Sequence, residues 1–118
     1  MDAEWATRTV LFVTMVGSGI LMIWLAQRAA TGNLKRNHLA GIRTTETMAS
    51  EEAWLAAHRR ALSPTRSAGT ISVLSGMVAM VPIPVTIVIL LVLASGLAML
   101  ALVVYGAHQG VKEARALV

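Results

Sequence analysis

The longest uncharged stretch of this chain runs for 45 residues, from Ser67 to Val111, without Asp, Glu, Lys or Arg. An α-helix rises about 1.5 Å per residue, and the hydrocarbon core of a bilayer is about 30 Å thick. The stretch is therefore more than twice too long for one membrane crossing. Pro82 and Pro84 lie near its middle and favour a turn there. The pattern predicts two crossings, because the alternative of one long kinked helix offers no polar residue to the water outside the bilayer.

A second uncharged stretch, the 19 residues from Thr9 to Gln27, fits a single crossing. Ahead of the long stretch, Ser63 and Pro64 match an N-cap followed by proline at the first helical position. A new helix is therefore expected to begin at this point. The sequence predicts three membrane spans at about these positions: 9–27, 64–81 and 84–107.

The composition agrees with a membrane protein and excludes other classes. Apolar residues make up 56% of the 118 residues and charged residues 14%, against about 25% charged in soluble domains. One soluble domain of this size could not bury so many apolar side chains, and disordered chains are poor in them. We expect one domain over residues 1–118, an all-α three-helix transmembrane bundle with a cytoplasmic loop at residues 28–63 and a short interfacial helix.

The charges predict how the chain is oriented in the membrane. Residues 28–66 carry seven Lys or Arg against three acids, and the tail adds Lys112 and Arg115. Loops on the cytoplasmic side are enriched in Lys and Arg. We therefore expect a multi-pass protein with the N-terminus outside and the C-terminus in the cytoplasm. A cleaved signal peptide is the alternative for the first stretch, but Asp2 and Glu4 disfavour it.

The predicted spans carry no ionisable residue near their centres, which disfavours a pump or a secondary transporter. Each span has small residues at spacings that let membrane helices approach closely, namely Gly17, Ser18, Gly19, Ser72, Gly76, Ala94, Ser95 and Gly96. This spacing is compatible with packing inside one chain and with an oligomer. The basic loop is expected to face anionic membrane lipid, and the 4% aromatic content disfavours nucleic acid as a partner.

The end of the loop predicts a short helix over residues 51–62. Ser50 is a good N-cap, and acids follow it in the first turn, where they suit the helix dipole. Trp54, Leu55, His58 and Leu62 fall on one face of such a helix. We expect this amphipathic segment to lie along the inner membrane surface, with Trp54 in the headgroup region.

Ten residues of the loop form a spaced pattern: Asn37, Gly41, Arg43, Thr44, Thr47, Ser50, Glu52, Trp54, His58 and Arg59. The pattern resembles the signature loop of the SdpI family, small bacterial membrane proteins named for an immunity protein against a secreted toxic peptide. The resemblance implies a loop between two membrane spans, a location in the bacterial plasma membrane and protection against, or sensing of, a membrane-active toxin peptide. The founding immunity protein is longer than this chain and has more spans.

The motif residues have alternative roles. Arg43 is expected either to bind a partner or a lipid headgroup through its planar fork, or to bond the last carbonyls of a span. Trp54 is interpreted as an interfacial anchor rather than a platform for a ligand. His38 and His58 lack a third metal ligand, and Glu52 and His58 point to different faces of a helix. We expect no catalytic, cofactor or metal site, and hence no enzyme.

Two functions remain after these exclusions. The first is a binding and protection protein that intercepts a toxin peptide or relays its presence to a partner on the inner face. The alternative is a small structural or accessory subunit that binds another membrane protein in a bacterial envelope complex. In either case, we expect the working part to be the segment from Asn37 to Thr47, with Arg43 at its centre and Gly41 supplying a backbone conformation that a side chain resists.

Overall fold

The computed structural model of this chain describes residues 2–118, and its regular secondary structure is helical. The α-helices are α1 (Ala3–Ala30), α2 (Glu51–Val78) and α3 (Val85–Arg115), and a 3₁₀ turn at Thr47–Ala49 precedes α2. They form an elongated body of 54 × 21 × 18 Å in which α2 packs against both α1 and α3. The predicted all-α class is confirmed.

Two of the helices are suited to a membrane. Both α1 and α3 are long and apolar enough to cross one, and only 6% of the most apolar 18-residue window of each is buried inside the chain. Large apolar side chains such as Val13, Leu21, Leu93 and Leu97 are more than half exposed. Outward-facing apolar helices of this length indicate a membrane protein, because lipid rather than a protein core must cover them.

The predicted helix start at Ser63 and Pro64 is wrong. The helix α2 runs without a break from Glu51 to Val78 and contains Pro64 in its interior. Proline removes one backbone hydrogen bond from a helix. The helix nevertheless continues, because its buried face extends on both sides of the proline and packs against two neighbours. The loop is accordingly shorter than predicted and covers residues 31–50.

Glycines bring α1 and α2 into close contact. A Cβ atom added to Gly19 would lie 2.5 Å from the carbonyl oxygen of Gly69, and one added to Gly76 would lie 2.7 Å from Val16 Cγ2. Between these contacts the Ser72 hydroxyl donates to the Met15 carbonyl across 2.6 Å. The small residues predicted on α2 therefore do serve helix packing.

The small residues that pack α3 differ from those predicted. A Cβ atom added to Gly106 would lie 2.9 Å from Pro64 Cγ, and one added to Gly110 would lie 2.7 Å from the Ala57 carbonyl oxygen. Gly17 and Gly96 have no atom of residues 2–118 within 4 Å of an added Cβ atom, so they do not serve packing between the helices of one chain. Apolar stretches contain many small residues by chance, and only the packing geometry selects those that matter.

The connections divide the molecule into two ends. The loop end comprises residues 31–50 and the C-terminus of α3, where Arg115 pairs with Glu46 across 3.4 Å. The turn end comprises the N-terminus of α1 and residues 79–84, and the turn predicted at the two prolines is found there. Asp2 and Val118, the first and last described residues, therefore lie at opposite ends of the molecule.

The turn end is held by Arg8, whose side chain is buried. One guanidinium nitrogen, Nη1, donates to the carbonyls of Ala79 (3.2 Å) and Val81 (2.7 Å). The other, Nη2, donates to the Ile83 carbonyl and to the Glu4 carboxylate. Arg8 thus satisfies carbonyls that the end of α2 and the turn leave without helical partners.

Candidate functional site

The ten motif residues are gathered at the loop end. They extend from Asn37 in the loop to Arg59 in α2, and most of them bond one another or the neighbouring backbone. These contacts separate the residues that build the loop from those that remain free.

Asn37 shapes the entry to the motif. Its side-chain oxygen accepts from the backbone N–H groups of Leu39 (2.9 Å) and Ala40 (2.8 Å), and its amide nitrogen donates to the Lys35 carbonyl (2.7 Å). This is the local turn that asparagine side chains favour. The side chain is therefore used inside the loop and turns the chain toward α2.

Gly41 lies against α2 where no side chain would fit. Its φ of +105° is the left-handed conformation predicted for this position. A Cβ atom added here would lie 2.5 Å from Trp54 Cη2 and 2.9 Å from His58 Nε2. Two independent constraints, the backbone angle and the contact with two rings, thus require glycine.

His58 fastens the next loop residue to α2. Its Nε2 accepts from the Ile42 N–H across 2.9 Å, and its Nδ1 lies 2.8 Å from the Trp54 carbonyl. Because Nε2 accepts, Nδ1 carries the proton and donates to that carbonyl. Burial lowers the pKa of His58 below its ordinary value of 6.5, although the bond to the Trp54 carbonyl raises it. The ring is therefore neutral when the loop is docked.

Thr44 and Thr47 close the loop before α2 begins. The Thr47 hydroxyl is buried, accepts from the Thr44 N–H (2.9 Å) and donates to the Ile42 carbonyl (2.6 Å). In return, the Thr44 hydroxyl accepts from the Thr47 N–H across 3.2 Å. These reciprocal bonds set the chain for the 3₁₀ turn that leads into α2.

Ser50 and Trp54 lie at the start of α2, and the position of Trp54 differs from the predicted one. The Ser50 hydroxyl accepts from the Ala53 N–H across 3.0 Å, which confirms the predicted N-cap. Trp54, expected to anchor the loop in the headgroup region, is instead 1% exposed. Its indole N–H donates to the Leu34 carbonyl across 2.8 Å. The predicted interfacial helix is therefore wrong, because the apolar face of residues 51–62 packs under the loop.

Arg59 bonds the end of a helix in the way that was considered for Arg43. Its Nε donates to the Ala30 carbonyl, at the C-terminus of α1, across 3.3 Å. Arg43 is exposed and makes no hydrogen bond or ion pair with any residue from 2 to 118. The side chain of Glu52 is exposed too, and it forms no hydrogen bond or ion pair with residues 2–118. The motif therefore leaves two charged side chains free.

Arg36, in contrast to Arg43, is paired within the loop end. Arg36 donates to the Glu51 carboxylate (2.9 Å) and to the Met48 carbonyl (2.8 Å). The bond from Arg36 holds the pKa of the Glu51 carboxyl below its ordinary value. These contacts tie the first half of the loop to the start of α2 and leave Arg43 as the free guanidinium of the motif.

A cavity of about 200 Å³ lies beneath the loop. Its walls come from all three helices and from the loop, and include Ala26, Gly41, Ile42, His58, Ala61 and Val103. The lining is almost entirely apolar, and the polar atoms of His58 are already bonded. Such a cavity can accept an apolar group, and residues 2–118 contain no cluster of three metal-ligating side chains.

One structural arginine, Arg8, was not among the predicted site residues and was interpreted only as a flanking charge. The position of Arg8, immediately before the uncharged stretch that starts at Thr9, is the one signal that could have marked it. An arginine at that boundary can turn inward to bond carbonyls, a role for which its fork of donors is suited.

Comparison with known proteins places this loop in a family. The model of the SdpI/YfhL protein family matches residues 33–106, which is more than half of the chain and covers the loop, α2 and most of α3. No curated protein and no solved structure matches the chain. The match begins in the loop and includes all ten motif residues, as the resemblance predicted. The chain therefore belongs to the SdpI/YfhL protein family.

Proposed function

We propose that all three helices cross the bacterial plasma membrane, with the N-terminus outside and the loop end in the cytoplasm. The exposed rings of Trp5 and Trp24 lie 19 residues apart on α1, a rise of about 28 Å that matches the hydrocarbon thickness. The helix α2 packs along both apolar helices and so follows them through the membrane. The excess of Lys and Arg in residues 28–66 favours the cytoplasmic side for the loop.

In this membrane, the protein acts as an immunity-type protein that intercepts or senses a membrane-active toxin peptide. Membership of the SdpI/YfhL family supports this role. The observation that carries the proposal is the free Arg43 in a loop whose other polar motif groups are mostly bonded to one another. The bonds within the loop fix a conformation in which Arg43 is exposed and unpaired. A loop that only connects two helices would not need so many internal bonds.

The chemistry of Arg43 suits an anionic partner. A guanidinium presents its N–H donors as a rigid fork that matches the two oxygens of a carboxylate. In the proposed mechanism, Arg43 binds a carboxylate of the peptide, and the apolar cavity beside Ile42 accepts an apolar group. The bonds within the loop do not compete with this capture, because they use Asn37, Thr44, Thr47 and His58.

The test uses a strain that lacks the gene and is challenged with secreted peptides from neighbouring bacteria. We expect the strain to be sensitive and the wild-type protein to restore protection. Arg43→Ala should abolish it and Arg43→Lys should impair it nearly as much, because each lost charge-assisted hydrogen bond costs about 1.5–3 kcal/mol and lysine lacks the fork. Lys35→Ala, which removes an exposed charge of the same loop outside the motif, should protect normally.

Protein levels in the membrane decide between the outcomes of this test. If Arg43→Lys protects as well as the wild type, the fork has no role and the proposal is wrong. If the deletion changes no sensitivity while a larger complex co-purifies in mild detergent, the protein is instead an accessory subunit. Loss of both Arg43 variants from the membrane would assign Arg43 a structural role.

A further inference from the structure

One face of α2 points away from both α1 and α3. This face is polar, whereas α1 and α3 are apolar at the same level of the bundle. Exposed residues on this face line a shallow depression of about 530 Å³, namely Ser63, Arg66, Ser67 and Thr70. The opposite face of the helix is buried against α1 and α3. The depression is therefore open toward whatever surrounds the protein.

The polar groups of this face have few partners. Thr70 donates its hydroxyl to the Arg66 carbonyl across 2.9 Å. Within residues 2–118, no hydrogen bond or ion pair involves the side chains of Ser63, Arg66 or Ser67. An arginine and two hydroxyls are thus presented together without a counter-charge from the chain.

With the membrane placement proposed above, Arg66 lies below the membrane surface. It lies between Pro64, which meets Gly106 of α3, and Gly69, which meets Gly19 of α1. Gly106 and Gly19 both lie inside the uncharged stretches of the chain. Along α2, Arg66 is seven residues beyond Arg59, a distance of about 10 Å in an α-helix. An ionisable side chain at such a depth is costly unless an opposite charge meets it.

A second copy of the chain cannot supply that charge. The acidic residues all lie outside the uncharged stretches, near the chain termini or in residues 46–52. A parallel pair of copies joined through this face would instead place Arg66 against Arg66, which is repulsive. The nearest anion of a bilayer is the phosphate of an inner-leaflet lipid, which the long side chain of Arg66 can meet by extending toward the membrane surface.

We propose that Ser63, Arg66 and Ser67 form a binding site for the headgroup phosphate of an anionic phospholipid of the inner leaflet. The guanidinium pairs with the phosphate oxygens, and the two serine hydroxyls donate to them. The acyl chains then lie along the apolar surface of the helices. This site rests on the membrane placement proposed above, but it is independent of the role in protection against a toxin.

Native mass spectrometry of the full chain tests the site. The purified protein is released from detergent micelles that contain equal amounts of phosphatidylglycerol and phosphatidylcholine. We expect the wild type to retain more phosphatidylglycerol than phosphatidylcholine. Arg66→Ala should lower the ratio of the two retained lipids about tenfold, because the charged bonds to the phosphate are lost. The double variant S63A/S67A, whose substitutions suit a helix, should lose a smaller part. Arg60→Ala removes the same charge from the same helix outside the depression and should bind as the wild type does.

Three outcomes would overturn the proposal. Equal retention of the two lipids by the wild type would show that there is no site for an anionic headgroup. An equal loss for Arg60→Ala and Arg66→Ala would show that only the net charge matters. A wild-type dimer that becomes monomeric in Arg66→Ala would assign the face to a protein interface. None of these outcomes bears on the toxin challenge, so the two proposals fail separately.

Discussion

At the scale of single residues, the motif contains two arginines with different surroundings. Arg59 bonds the Ala30 carbonyl and so links α2 to the end of α1. Arg43 lies at the surface with no partner in the described chain. Sequence alone could not assign these roles, because both positions suit an arginine that bonds helix carbonyls. The assignment needs the path of the loop, which Gly41 and His58 determine.

Gly41 gives a prediction about stability. Gly41→Ala should lower the free energy of unfolding by about 2–4 kcal/mol, from backbone strain at a positive φ and from overlap with Trp54. Gly32→Ala is the matched control, since Gly32 also has a positive φ but open space around it. Thermal unfolding in detergent should show a clearly larger loss for Gly41→Ala. Equal losses would mean that the contact with Trp54 has no weight.

The bonds of His58 predict a dependence on pH. Burial lowers the pKa of His58 in the folded protein, so the unfolded chain takes up its proton first as the pH falls. The contribution of His58 to stability is therefore complete above its ordinary pKa of 6.5 and is lost as the pH falls below it. Unfolding in detergent should become easier over that range. The slope of the free energy of unfolding against pH should flatten in His58→Gln. An unchanged slope would mean that another group causes the dependence on pH.

At the scale of elements, α2 shows why local signals misled. Ser63 and Pro64 have the preferences of a helix start, yet they lie in the middle of a continuous helix. Trp54 has the preference of an interfacial anchor, yet it is buried under the loop. Capping and interface preferences are local, whereas burial of a helix face against two neighbours is a tertiary effect that outweighs them. Ser50 behaved as predicted because nothing tertiary competes with its cap.

The contact of Arg8 with the turn gives a prediction at this scale. Arg8→Ala should lower the free energy of unfolding by about 3 kcal/mol, because the buried carbonyl of Ala79 and the carbonyl of Val81 lose a charged donor. It should also make residues 79–84 more sensitive to protease. Arg28→Ala is the control, since the exposed Arg28 side chain donates to the Asn33 carbonyl and covers the Trp24 ring without bonding the turn. Similar effects of the two variants would contradict the role of Arg8.

At the scale of the whole molecule, the sequence predicts more of the layout than of the contacts. Three helices, the proline turn and the loop between α1 and α2 follow from the uncharged stretches and the two prolines. The choice of Gly106 and Gly110 over Gly17 and Gly96 does not, because it depends on which faces meet. The motif residues were found by their spacing, but their separation into bonded and free side chains required the folded loop.

The proposed function depends on a self-bonded loop that presents Arg43 to the cytoplasm. The chain has no Cys, so single cysteines can be introduced without background. Arg43→Cys and Thr47→Cys are compared, because Arg43 is exposed and Thr47 is buried four residues away. A membrane-impermeant thiol reagent is applied to inverted and to right-side-out vesicles. We expect rapid labelling at position 43 in inverted vesicles only, and little labelling at position 47 in either. Labelling of position 43 in right-side-out vesicles, or equal labelling of both positions, would contradict the claim.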